Sequence, residues 1–166
     1  MRLFVAIQLN HDIRESLLDV QNQWIRRGVR GNYTDPENLH LTLAFIGEYP
    51  NPEDVLDVID SLTFQPFFLS LDGIGSFGDL WWVGLSESDS LEALVRRLRH
   101  ALSDAGIPFD RKRFSPHITL IRKAAYHGKE KFPMIRIPPA EMTVERISLM
   151  RSDRGKHGMI YTELGV

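Results

Sequence analysis

His40-Leu41-Thr42-Leu43 and His117-Ile118-Thr119-Leu120 are two copies of one short pattern, and they decide the fold. In an extended strand, side chains alternate between faces. His40 and Thr42 therefore share one face, with Leu41, Leu43 and Phe45 on the other. His117 and Thr119 stand likewise against Ile118 and Leu120. A polar face on an otherwise apolar strand needs water or a ligand, because burying polar groups without partners is costly. One such histidine is ordinarily a satisfied structural residue. Two in the same pattern point to a shared task.

Working outward, the flanking elements also repeat. Leu3 to Leu9 reads as a strand, and His11 to about Arg27 as a helix capped by Asn10, with Ile13, Leu17, Val20 and Trp24 on its apolar face. Leu80 to Leu85 reads as a strand, followed by a helix carrying Leu91, Leu94, Val95, Leu98, Ala101 and Leu102. Thirty-five residues separate Val5 from His40, and thirty-four separate Val83 from His117. The next strands, at Phe67 and Thr143, follow their histidines by 27 and 26 residues. A helix from Pro52 and strands at Phe67–Leu71, Pro116–Ile121, Thr143–Met150 and Met159–Leu164 complete the reading. The expected architecture is α+β: one domain over residues 1–166, with two similar lobes, about 1–78 and 79–166, related by a pseudo-two-fold axis. Antiparallel-rich sheets would flank a central cleft, with the helices outside.

Composition narrows the chemistry. A hydrophobic share of 43% and a charged share of 25% suit a folded chain rather than a disordered one. The net charge of −2 gives no global basic field, so any RNA contact must be a local patch. With no cysteine, thiolate catalysis, disulfides and Cys-based zinc sites are excluded. The short apolar start is not a signal sequence, and no run is long enough to span a membrane. A cytoplasmic monomer, with no membrane partner, is the expectation.

Two histidines across a cleft can divide acid–base work, since imidazole titrates near neutrality. Thr42 and Thr119 supply hydroxyls for phosphate oxygens. Arg111, Lys112, Arg113, Arg122 and Lys123 surround His117 with no acid among them. Arg111 and Lys112 read best as solvated surface. Arg122, by strict alternation, falls on the face away from His117 unless the strand twists or bulges. Threonine rather than aspartate beside each histidine argues against a metal site, and no cofactor is expected. Gly73-Ile74-Gly75-Ser76-Phe77-Gly78 matches a dinucleotide fingerprint but precedes a strand, so it reads as a glycine-rich turn. Arg151, Arg154, Lys156 and His157 read as an exposed hairpin loop, with a backbone phosphate contact as the alternative.

His40-Leu41-Thr42-Leu43 with Phe45 and Gly47, and Phe114-x-Pro116-His117-Ile118-Thr119-Leu120-x-Arg122, resemble the paired signatures of the two-histidine (HxTx) phosphoesterases. Arg2-Leu3-Phe4-Val5-Ala6-Ile7 and Asn38-Leu39-His40 resemble the branch of RNA 2′,3′-cyclic phosphodiesterases, or 2′-5′ RNA ligases. The resemblance implies metal-independent opening of a 2′,3′-cyclic phosphate on an RNA end or nucleotide to a 2′-phosphomonoester. It implies His40 as proton donor, His117 as proton acceptor, and Thr42, Thr119 and Arg122 as phosphate-binding residues. Reversible 2′-5′ ligation would be the same chemistry run backwards. Phe45 is a candidate substrate contact. Rival readings keep the cleft but change its use: a small cyclic nucleotide, ADP-ribose cyclic phosphate or 2′-5′ oligoadenylate as substrate, or a non-catalytic module binding RNA ends.

Overall fold

A computed structural model describes residues 1–166. The chain runs β1 (Arg2–Gln8), α1 (His11–Arg26), β2 (Arg30–Tyr33), a 3-10 turn at Pro36–Asn38, β3 (His40–Glu48), α2 (Pro52–Ser61), β4 (Phe67–Phe77), β5 (Leu80–Leu85), α3 (Asp89–Asp104), β6 (His117–Ala125), β7 (Glu141–Val144), β8 (Ser148–Gly155) and β9 (Gly158–Gly165). Side-chain oxygens close the N-termini of both long helices. Asn10 accepts from the Ile13 amide at 2.9 Å, and Ser88 from the Leu91 amide at 3.1 Å. Such caps satisfy amides that the first helical turn leaves without partners. Pro52 opens α2, where its missing N–H costs nothing.

The strands form two antiparallel sheets, ordered β3-β1-β8-β9 and β2-β6-β5-β4-β7. One core of 33 buried residues runs through both. The sheets meet where β3 and β6 pass one another. α1 packs against β6 and α3 against β3, so each helix lies on the histidine strand of the other half. β2 and β4 come from the first half of the sequence yet belong to the five-stranded sheet. β8 and β9 come from the second half yet complete the four-stranded one. A division at 78/79 therefore does not coincide with the sheets.

Four local expectations change. Thr143–Met150 is not one strand. It divides into β7 and β8, which lie in different sheets, and the consecutive exposed residues Glu145 and Arg146 mark the crossing. Phe67 and Thr143 are not counterparts but neighbours in one sheet, where Phe68 pairs with Thr143. Register aligns Val83, opposite Ile118, with Ile7, opposite Leu41, rather than with Val5. The glycine-rich segment is mostly strand: β4 runs to Phe77, and only Gly78-Asp79 turns. Glycine is needed at residue 75 because a Cβ there would lie 2.2 Å from the Trp82 ring. β2 was not expected, since Arg-Gly-Asn-Tyr carries little strand signal.

Candidate active site

β1 pairs with β3, and β5 with β6, in matching fashion up to the threonines. Gln8 faces His40 and Ala6 faces Thr42; Gly84 faces His117 and Trp82 faces Thr119. Each pairing then skips one residue. Val5 faces Ala44, which leaves Leu43 without an opposite. Trp81 faces Ile121, which leaves Leu120 without one. Each is a bulge, and an extra residue reverses the alternation beyond it. Leu43 and Ala44 are both buried, as are Leu120 and Ile121. Beyond the bulges, Phe45 and Arg122 return to the faces of their histidines. Both line the cleft with His40, Thr42, His117 and Thr119. The expected obstacle to Arg122 is thus removed by the bulge.

The histidines are held alike. His40 Nδ1 lies 2.6 Å from the Asn38 carbonyl oxygen, and His117 Nδ1 lies 2.7 Å from that of Ser115. A carbonyl only accepts, so Nδ1 carries the proton and Nε2 is the working nitrogen in both rings. Aromatic rings fix the imidazoles from the side. Phe4 and Tyr161 lie 4.9 and 5.2 Å from the His40 ring, and Phe77 and Trp82 lie 4.9 and 6.0 Å from that of His117.

Beyond this, the half-sites differ. His40 Nε2 lies 2.8 Å from Thr42 Oγ1, whereas His117 Nε2 has no partner within the protein. When His40 is neutral, the Thr42 hydroxyl donates to it; when His40 is protonated, Nε2–H donates to Thr42. Burial pushes the His40 pKa below its ordinary value near 6.5, against the opposing pull of the Asn38 carbonyl, and the Arg122 charge, joined by that of His117 whenever His117 is protonated, lowers it further. Protonated His40 is therefore a strong acid for a histidine.

The cleft has a volume of about 1190 Å³. Of the five cations around His117, only Arg122 lines it. Arg111 lies over Phe109 at 4.7 Å. Arg154 and His157 of the β8–β9 hairpin also line the cleft, so part of the expected exposed loop belongs to its wall. Arg151 does not; it pairs with Asp153 at 3.0 Å. The guanidinium of Arg2 sits 4.9 Å from the Phe45 ring at the rim. Sequence reasoning missed Tyr161 and Tyr33 in the wall, and nothing in their neighbourhoods marks them.

The architecture is that of solved phosphoesterases. One such crystal structure superposes with a TM-score of 0.81 at 28% identity, covering 98% of this chain and 94% of that one. Escherichia coli LigT complexed with 3′-AMP gives 0.79 at 28% identity, with the same coverage. The 2′-5′ RNA ligase superfamily model matches residues 16–156, and the chain belongs to that superfamily. Two curated relatives are named RNA 2′,3′-cyclic phosphodiesterase. The Thermotoga maritima protein is 32% identical over 99% of this chain and 93% of its own length. The Thermus thermophilus protein is 34% identical over 99% and 88%.

Proposed function

We propose that this protein hydrolyses 2′,3′-cyclic phosphates at RNA ends to 2′-phosphomonoesters, with His117 as base and His40 as acid. The observation that carries this reading is the pair of Nε2 atoms on matched strands, each with Nδ1 tied to the carbonyl two residues earlier. Neutral His117, whose Nε2 lone pair is unengaged, takes a proton from water as the water oxygen bonds to phosphorus. The P–O3′ bond breaks, and protonated His40 gives its Nε2 proton to the departing O3′. The products are a 2′-phosphate and a 3′-hydroxyl. Arg122, Thr42 and Thr119 hold the non-bridging oxygens, where charge develops. With a 5′-hydroxyl in place of water as the nucleophile on the cyclic phosphate, the O5′–P bond forms, the P–O3′ bond breaks, and the same groups run 2′-5′ ligation. Arg154 and His157 line the cleft beside Arg122, which suits further phosphates of a polymer end over a mononucleotide.

The test is a panel of a cyclic-phosphate-ended oligonucleotide, a cyclic mononucleotide and ADP-ribose cyclic phosphate, assayed with and without EDTA. The oligonucleotide should give the highest kcat/KM, with a 2′-phosphate product by chromatography and no loss to chelation. A 3′-phosphate product would reverse the histidine roles. Loss of activity restored by one divalent ion would overturn the mechanism.

A further inference from the structure

Both bulges are held by helix side chains, at the same place in each helix. Gln21 is the eleventh residue of α1 and Arg99 the eleventh of α3. The Gln21 amide Nε2 donates to the Leu120 carbonyl at 2.9 Å and to the Thr34 carbonyl at 3.0 Å. Arg99 donates to the Leu43 carbonyl from Nε and Nη2, both at 3.3 Å. Leu120 and Leu43 are the bulge residues. Gln21 is buried on the apolar face of α1, beside Leu17, Val20 and Trp24. A buried amide among apolar residues is costly unless both its hydrogens are used, and here each meets a carbonyl.

We infer that Gln21 is a positioning residue for Arg122, acting through the Leu120 bulge. The inference rests on the reading of Arg122 as the phosphate-holding cation. The Leu120 carbonyl also accepts from the Thr34 amide at 2.9 Å, so Gln21 ties the end of β2 to β6 at the point where the alternation reverses. Two residues on, Arg122 faces Asn32 of β2. Without the Gln21 donor, a bulge carbonyl buried beneath α1 loses one partner, and the strand gains by straightening. A straightened strand turns Arg122 away from the cleft. Arg99 does the same for Phe45, which carries no charge, so the two helices serve different ends of the substrate.

The test is a double-mutant cycle with Gln21→Met and Arg122→Ala, read by kcat/KM on a cyclic-phosphate-ended oligonucleotide and by the inhibition constant of inorganic phosphate. Gln21→Met should weaken phosphate inhibition and lower kcat/KM about tenfold each, and should add nothing further in the Arg122→Ala background. Arg99→Met should leave phosphate inhibition unchanged. If Gln21→Met does not fold, Gln21→Leu, which suits the same apolar face, enters the same cycle. A folded Gln21 variant with wild-type phosphate inhibition, or with a loss that adds to that of Arg122→Ala, overturns the inference. A silent Arg122→Ala instead overturns the reading of the anion site beneath it.

Discussion

Phe45 and Arg122 occupy the same position on two matched strands, five residues after His40 and His117, and a one-residue bulge turns each into the cleft. One half-site therefore ends in an aromatic ring and the other in a cation. With the unequal bonding of the two Nε2 atoms, this difference gives a near-symmetric cleft a direction. The charged end suits the phosphate, and the aromatic end suits a base.

Removal of the cation should be costly. Arg122→Ala is expected to lower kcat by about 10²–10³, the loss typical of a group that stabilises transition-state charge. Lys112→Ala should stay near wild type, because Lys112 does not line the cleft. Steady-state kinetics on the two variants decides the point: equal effects would mean that another cation serves the phosphate.

The histidines should separate by pH. Base and acid together give a bell-shaped profile of kcat/KM. His117→Ala should remove the acidic limb and His40→Ala the alkaline limb, each at a cost of roughly two to four orders of magnitude. The double variant should lose far less than the product of the two. Because the Arg122 charge helps to depress the His40 pKa, Arg122→Ala should also move the alkaline limb to higher pH. An unmoved limb would show that burial, the largest cause of the shift, sets the His40 pKa without Arg122.

Stability should carry the same signature. His40 has a folded-state pKa below its unfolded value near 6.5. Its contribution is therefore complete above that value and is lost as pH falls from there through the lower folded value. His40→Gln, which cannot be protonated in this range, should lose less melting temperature between pH 7.5 and pH 5 than the wild type. Equal losses in thermal scans at the two pH values would count against the shift.

Gly75 supports His117 at one remove. A Cβ at residue 75 would strike the Trp82 ring, which packs beside the His117 imidazole. Gly75→Ala should displace that ring, destabilise the fold by about 1–3 kcal/mol and slow catalysis. Denaturant titration and kcat/KM measured together would test this, and a variant of wild-type stability would show that the ring moves aside freely.

The histidine strands, their helices and the α+β class were legible because each is set by local periodicity. His40, Thr42, His117 and Thr119 precede the bulges, so simple alternation placed them correctly. Arg122 lies past a bulge, and alternation alone put it on the wrong face. A bulge is specified by what grips its carbonyl, here Gln21 on a helix distant in sequence, and that information is non-local. β2 was invisible for a related reason. Arg30–Tyr33 forms a strand because β6 offers an edge, and Gly31 lets the chain approach that edge closely: a Cβ there would lie 2.8 Å from the Arg122 and Lys123 carbonyl oxygens.

The exchange of strands between the halves bears on how the chain comes to be folded at all. β1 sits between β3 and β8, so the sheet that starts at Arg2 is not closed on that side until residues near Ser148 have left the ribosome. Until then β1 presents an open edge, and the contacts that close it span most of the chain. Pairings of such long sequence separation form slowly, because loop-closure entropy is spent before they are gained. A fragment ending before Ser148 should thus be sensitive to protease within β1, while the full chain is protected there, and limited proteolysis of the two would show it.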